Sequence, residues 1–378
     1  MSKVAVIRCP GYSEANVKDA ISRIFALLEL SKIIKPGQKV LLKPNLLTSL
    51  PPDKGVTTHP EIVKAVTEEV KDLGAFPFIG DSPGGTGLQY EKVLKETGMK
   101  DIGIPTVNLE EKGMRKFKNP GGKVDPIYIS NVALSFDLII NIPKIKTHEL
   151  TLITCGIKNM FGCVPGLNKV NYHLDAPSPE EFSEALVDLF EKIPPAVTIA
   201  DGIIAMEGQG PMSGKSRNLG ILIASTDTVA LDAVCSKIIG FEPLDIHTTK
   251  IAYQRGLGEA DLEKIEICGD KPPEFKDFKH PFGLNSILNK MPSTLGSLIR
   301  PVVSLIRLRP RINKKKCTKC LVCVNSCPVK AIDVKTFKIN KNQCIMCFCC
   351  RELCKYGAVD LKENILWKTA EQLKKFLT

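Results

Sequence analysis

Over the first 270 residues, short apolar runs alternate with longer segments whose apolar positions recur every three or four residues. Residues 3–8 form a short apolar strand pattern, and Ser13 then caps a helix whose Val17, Ile21, Ile24, Leu27 and Leu28 share one face. Residues 39–43 read as a buried strand turned outward by Pro44-Asn45. Residues 60–73 read as a helix with Pro60 at its start and Gly74 past its end, the usual punctuation of a helix. A strand at 76–79, a glycine-rich loop and a helix from Leu88 to about Glu96 complete this stretch. Further strands are expected at 138–142, 196–200 and 219–224, with helices at 179–192, 228–239 and 244–255. Strands alternating with helices predict the α/β class: a mainly parallel sheet covered by helices.

The pattern changes beyond residue 270. Residues 271–282, rich in Pro, Lys, Asp and Phe, read as a linker. Residues 283–309 carry Leu, Ile and Val at helical spacing together with Lys290, Arg300, Arg307 and Arg309, and no acidic residue. Such a basic amphipathic segment suits a membrane surface, but Pro292 and Pro301 interrupt it, which favours packing on the α/β domain or a partner. The expected organisation is an α/β domain at 1–270, a linker with this basic segment at 271–310, a small α+β cysteine-rich module at 311–362 and a C-terminal helix at 363–378.

Composition is that of a globular protein, with 43% apolar and 25% charged residues among 378. The formal charge is +11, yet aromatics make up 6% and the basic residues are dispersed, which argues against nucleic acid. A basic surface suits an acidic electron-carrier protein such as ferredoxin, or a small anionic substrate. No apolar stretch reaches transmembrane length, and the opening run of eight residues is too short for a signal peptide. Of fourteen cysteines, Cys9, Cys155, Cys163, Cys235, Cys268 and Cys349 show no repeated spacing, so a secreted disulfide scaffold is not expected. A reducing cytoplasm is.

The other eight cysteines form two runs: Cys317-x2-Cys320-x2-Cys323-x3-Cys327-Pro328, and Cys344-x2-Cys347-x2-Cys350-x3-Cys354. The second begins 27 positions after the first, an offset that also carries Ala331 onto Ala358 and Asp333 onto Asp360. Zinc sites repeat cysteine pairs across a longer loop and lack the third and fourth cysteines at these offsets. The doubled run resembles the bacterial two-cluster ferredoxin, in which each run gives three thiolates to one 4Fe–4S cluster and its fourth to the other. That resemblance implies two 4Fe–4S clusters, one on Cys317, Cys320, Cys323 and Cys354, the other on Cys344, Cys347, Cys350 and Cys327. Lys355 stands where the first run has Pro328, and Cys349 offers an alternative third ligand beside Cys350. The 27-residue register favours Cys350.

Several polar groups of the α/β part stand just beyond strand ends, where open parallel sheets bind ligands. Lys43, Asn45, His59 and Asp81 do so, and Lys144, Lys146 and His148 follow the strand at 138–142 at alternate positions, which places them on one side of an extended segment. Lys158, Asn159, Lys169 and His173 add to a density of cations suited to carboxylate or phosphate. A solvated basic edge, or lysines paired with Asp and Glu, is the plainer explanation. Asp201, Glu207, Asp227 and Asp232 are candidates to hold the cations or a metal, with Asp227 equally a helix cap. The loop from Gly80 to Gly87 lacks the dinucleotide-binding order of glycines, and Gly210 to Ser216 has one residue too few for a phosphate-binding P-loop.

Taken together, Leu42-Lys43-Pro44-Asn45-Leu46, Thr58-His59-Pro60, Gly80-Asp81-Ser82-Pro83, Pro143-Lys144-Ile145-Lys146-Thr147-His148, Gly156-Ile157-Lys158-Asn159-Met160-Phe161-Gly162 and Ala205-Met206-Glu207-Gly208-Gln209-Gly210-Pro211 resemble the DUF362 family, often fused to a C-terminal two-cluster ferredoxin. The resemblance implies an architecture and a site more than a reaction. The expected role is iron–sulfur electron transfer in a ferredoxin-dependent oxidoreductase, with an anionic substrate on the α/β domain. Lys43, Asn45, Asp81, Lys144, Lys158 and Asn159 would bind it, and His148, His59 and Lys146 would serve the chemistry. The alternative is an electron-transfer adaptor whose α/β domain only docks a partner; a third makes the clusters structural. The register also yields a test: Cys350→Ala is expected to lower bound iron and thiolate–iron absorbance by about half, while Cys349→Ala leaves both at the parent level.

Overall fold

The computed structural model describes residues 1–84, 89–166, 168–281 and 309–362. Strand and helix alternate at first: β1 (Ser2–Arg8), α1 (Glu14–Leu27), β2 (Lys39–Pro44), α2 (Pro60–Asp72), β3 (Phe76–Asp81), α3 (Tyr90–Glu96) and β4 (Thr106–Asn108). A small hairpin of β5 (Met114–Phe117) and β6 (Ile127–Ser130) precedes β7 (Leu138–Ile142), β8 (Lys144–His148) and β9 (Leu152–Thr154). Next come α4 (Gly156–Asn159), α5 (Asn168–Asp175), α6 (Pro179–Lys192), β10 (Val197–Glu207), β11 (Lys215–Ser225), α7 (Thr228–Ile238), α8 (His247–Gln254) and β12 (Ile265–Gly269). The cysteine-rich module has β13 (Arg309–Ile312) antiparallel to β14 (Val359–Lys362), with one-turn helices α9 (Val322–Asn325) and α10 (Cys349–Glu352).

Local chemistry explains the helix starts. Ser13 accepts from the Asn16 N–H, and His59 Nδ1 accepts from Glu61 N–H with Pro60 in the first position. Ser178 and Glu181 form a reciprocal capping box at α6.

The main sheet has ten strands. Its path is β12-β1-β11-β10-β7-β2-β3-β4, with β8 paired to β10 and β9 to β8. Most pairings are parallel; those of β11 with β1 and β10, and of β8 with β9, are antiparallel. Strand alternation divides the core between two faces. Val4 and Val6 of β1 and Leu41 of β2 enter a cluster containing α6 and α7 residues such as Leu186 and Leu231. Ala5, Ile7, Val40 and Leu42 enter the other, against Ile21 of α1 and Val63 of α2. This is the expected α/β sandwich.

The chief departure is β8. Pro143 ends β7, but the chain runs on beside β10, which pairs with β7 through Val197 and Thr198 and then with β8 through Asp201 and Met206. β10 and β11 are therefore eleven residues each, longer than the apolar pattern indicated. Pattern reading missed β8 because its polar residues hide a fully buried strand. Asp227 caps α7, accepting from Val229 and Ala230. The expected features at 85–88, the basic segment at 283–308 and the helix at 363–377 lie outside the described residues.

The internal repeat of the module is visible in its backbone. Left-handed φ values recur 27 residues apart, at Lys319 and Met346, Leu321 and Phe348, and Lys330 and Gly357. Such tight turns let short loops present a cysteine every third residue. The Ala331 N–H donates to Cys327 Sγ and the Ala358 N–H to Cys354 Sγ, both at 3.2 Å.

Ser178→Ala removes the capping box, and a loss of about 1 kcal/mol in the unfolding free energy is expected by urea titration.

Candidate functional site

At the carboxyl edge of the sheet, Lys43 ends up fully buried with its ammonium 2.9 Å from Asp81 Oδ1. Asp81 also accepts from the Leu46 and Ser82 N–H groups, so its carboxylate is satisfied from several directions. Gly162 faces this pair at a spacing where any Cβ would fall on the Asp81 carboxylate and the Lys43 ammonium, which explains a glycine there. A chain of amides lies alongside. Lys146 donates to Asn45 Oδ1, Asn45 to Asn159 Oδ1, and Asn159 to Asn141 Oδ1, at 2.8–2.9 Å each. Lys146 also donates to Val56 O. Burial, with Lys158 and Lys144 nearby, pulls Lys146 well below the ordinary lysine range.

Beside these groups opens a cavity of about 110 Å³. Five of the residues expected at the site line it: Lys43, Asn45, Asp81, Lys158 and Asn159. Lys169 and His173 line it too, and so do Ser326, Cys349, Glu352 and Leu353 from the cysteine-rich module. The cavity thus belongs to both parts of the chain. Lys169 is held by Ser82 O, Ser82 Oγ and Pro83 O, and burial pulls it down to about 8. Lys158 lies over the Phe161 ring, 6.0 Å from its centroid, and has no hydrogen bond or ion pair among the described residues.

The remaining expected residues lie elsewhere. Lys144 and His59 belong to a second buried cluster: Lys144 Nζ is 2.8 Å from Asp201 Oδ2 and donates to Tyr12 OH, which donates to Asp201 Oδ1. The Tyr12 ring stacks on His59 at 3.7 Å, and the His59 N–H donates to Asp201. These contacts tie the loop after β1, the start of α2, β8 and β10 together. The register of β8 on β10 shifts between Asp201 and Met206, which is why Lys144 parts from Lys146 although they alternate along one strand.

His148 stands behind the cavity rather than in it. Its Nδ1 accepts from the Leu150 and Thr151 N–H groups, so its proton sits on Nε2, 2.8 Å from Glu352 Oε1. That contact is close but poorly aimed for a hydrogen bond. Burial, reinforced by Lys158, pulls His148 to about 4, consistent with a neutral ring. Burial acts to raise Glu352, but the His148 imidazole and the Lys158 ammonium outweigh it and hold the carboxyl below its ordinary range. Next to it, Arg351 is buried and donates to Glu149 Oε1 and Gln209 Oε1.

Sequence reasoning missed Tyr12, Asn141, Glu149, Arg351 and Glu352. Three of these carried signals: Asn141 interrupts an otherwise apolar strand, and Arg351-Glu352 stand where the first cysteine run has Val324-Asn325. The carboxylates named as possible metal holders are engaged otherwise. Asp201 pairs with Lys144, Asp232 accepts from the Gly156 and Ile157 N–H groups, and Glu207 accepts from Lys279 N–H. Among the described residues, no three His, Cys, Asp or Glu side chains are gathered for a single metal ion.

Thiols of the two runs come together within the module. Cys317, Cys320, Cys323 and Cys354 line one cavity, the fourth coming from the opposite run. Cys350 lies within electrostatic reach of Cys347, Cys344, Cys323 and Cys327; Cys349 meets Cys347 and also lines the other cavity, beside Lys158.

The buried pair in the second cluster makes a clear prediction. Lys144→Met leaves the fully buried Asp201 carboxylate without its cation, and a loss of about 3–5 kcal/mol is expected in urea unfolding of the α/β domain.

A thylakoid-associated protein of Synechocystis sp. is 35% identical over 269 residues, which cover 70% of this chain and 82% of that protein. The lactate racemase apoprotein of Thermoanaerobacterium thermosaccharolyticum is a distant structural neighbour, 14% identical with a TM-score of 0.40, covering 59% of this chain. The chain spans about half of that neighbour, 54%. Residues 309–355 match the model of a 4Fe-4S dicluster domain, so the module is an iron–sulfur module of ferredoxin type. Residues 40–237 match the domain of unknown function DUF362, and the chain belongs to that family.

Proposed function

We propose that this protein is a cytoplasmic redox enzyme that accepts single electrons from an acidic low-potential carrier such as ferredoxin and reduces a small anionic substrate held by the α/β domain. Cys317, Cys320, Cys323 and Cys354 would hold one 4Fe–4S cluster, and Cys344, Cys347, Cys350 and Cys327 a second. When bound, such clusters supply one-electron transfer. The division into residues 1–270, 311–362 and the segments between and after them belongs to this reading. The observation that carries it is the shared cavity, lined by Lys43, Lys158 and Lys169 on one side and by Cys349, Glu352 and Leu353 on the other. An electron-transfer module that walls a cation-lined cavity favours delivery within one chain, because tethering raises the effective concentration of donor and acceptor.

Each residue has a role that its environment supports. Lys158, unpartnered among the described residues, attracts the substrate anion, while Asn45 and Asn159 orient it and Lys43–Asp81 keeps the wall rigid. Phe161 and Leu353 exclude water. His148 acts as a positioning residue, holding a proton on Nε2 toward Glu352, which faces the cavity. Lys146 holds Asn45 in place, and Lys144 and His59 brace the edge from the second cluster. On the other side of the module, Cys320 is exposed among the exposed Lys314, Lys315 and Lys319, a surface complementary to an acidic carrier. No helix among the described residues is long and apolar enough to cross a membrane.

The test uses the anaerobically reconstituted protein. Reduced plant-type ferredoxin is expected to bleach its thiolate–iron absorption, with a rate that falls several-fold in Lys319→Glu and at high salt. Reoxidation is then expected to be accelerated by the low-molecular-weight fraction of a cell extract, and Lys158→Met to remove that acceleration. Reoxidation by the macromolecular fraction alone points to the adaptor instead. Failure of ferredoxin to reduce the protein leaves the clusters structural.

A further inference from the structure

The cavity's charges and size narrow what it can hold. Three ammonium groups and two carboxylates line it, which leaves one positive charge in excess. Lys43 is paired with Asp81, and Lys169 is held by the Ser82 and Pro83 oxygens. Of the three ammonium groups, Lys158 is the one with no hydrogen bond or ion pair among the described residues; it lies over the Phe161 ring, within electrostatic reach of Glu352 but beyond contact with it. A dianion would therefore bring an uncompensated negative charge toward Glu352 and Asp81.

The rest of the lining has a different character. Leu47, Phe161, Val170 and Leu353 supply apolar surface around the single cationic point. A cavity of about 150 Å³ accepts benzene, so one of about 110 Å³ holds roughly six non-hydrogen atoms at most. None of the eight cysteines assigned to the clusters lines this cavity, so its space is separate from the cluster positions.

We propose that the cavity binds a short-chain monocarboxylate, its carboxylate on Lys158 and its hydrocarbon portion against Phe161 and Leu353. This rests on taking the cavity as the substrate site and names the class of molecule that it selects. Selection follows from three features at once. A neutral analogue leaves the Lys158 ammonium without a counter-charge. A dicarboxylate carries one charge too many. A longer chain finds no further room.

Equilibrium binding tests this without any electron transfer. Isothermal titration of the oxidised, cluster-loaded full-length protein uses butyrate, butyramide, succinate and octanoate as probes. Butyrate is expected to bind saturably, and the other three at least ten-fold more weakly. Lys158→Met is expected to weaken butyrate at least ten-fold, and Lys158→Arg to keep it within a few-fold, with unchanged cluster absorbance showing that both variants are folded. No saturable butyrate binding, equal binding of octanoate or succinate, or unaltered butyrate affinity in Lys158→Met overturns the proposal. Butyrate binding in a protein that ferredoxin cannot reduce sinks the redox reading and leaves this inference in place. Ferredoxin-driven turnover of extract metabolites without butyrate binding does the reverse.

Discussion

Two charged side chains held between cysteines of the second run determine how the two parts of this molecule meet. Arg351 and Glu352 lie on the one-turn helix α10, between Cys350 and Cys354, and both are withdrawn from water against the α/β domain. Burying a guanidinium and a carboxylate is costly unless each finds a partner. The partners of Arg351 are Glu149 and Gln209, while Glu352 stands against His148 and within electrostatic reach of Lys158. Glu149, Gln209 and His148 lie at the far ends of β8 and β10, where these strands run past the rest of the sheet. The extension of β8 beyond Pro143 therefore supplies the surface on which the iron–sulfur module sits, and the module in turn closes the cavity.

The lysines at this edge do different work although they look alike in sequence. Lys43 and Lys144 each meet a buried carboxylate, and both pairs brace backbone segments that would otherwise splay at the sheet edge. Lys146 has neutral acceptors alone, in keeping with a lysine well below its ordinary range. Lys158 faces open space. Burial penalises the charged form of each, so the partner decides which lysines brace the fold and which one is left to meet a ligand.

The module shows how a near-symmetric repeat acquires direction. Its left-handed turns and N–H···S contacts recur at 27-residue intervals, in step with the two cysteine runs. Between the last two cysteines of each run the symmetry breaks: Val324-Asn325-Ser326 in the first, Arg351-Glu352-Leu353 in the second. The second run is thereby fastened to the α/β domain, while Cys320 of the first stays exposed. A few residues orient one face toward solvent and the other toward the cavity.

The cysteine spacing, the alternation of strands with helices, and the punctuation by Ser13, Pro60 and Gly74 were legible directly, because each rests on local geometry that neighbouring residues dictate. So was the location of polar groups at strand ends, since a parallel sheet gathers its carboxyl termini on one edge. Their division between two clusters was not legible. It depends on the register shift between Asp201 and Met206, a pairing between strands more than fifty positions apart in the chain. Strand β8 itself was hidden, because a buried lysine and a solvated lysine read the same until their partners are known. Arg351 and Glu352 carried a faint signal in the mismatch between the two runs, but their partners lie about 200 and 140 residues away. Ligand spacing and secondary structure are local properties and reside in the sequence; the pairing of buried charges is a property of distant segments brought together, and only the tertiary structure decided it.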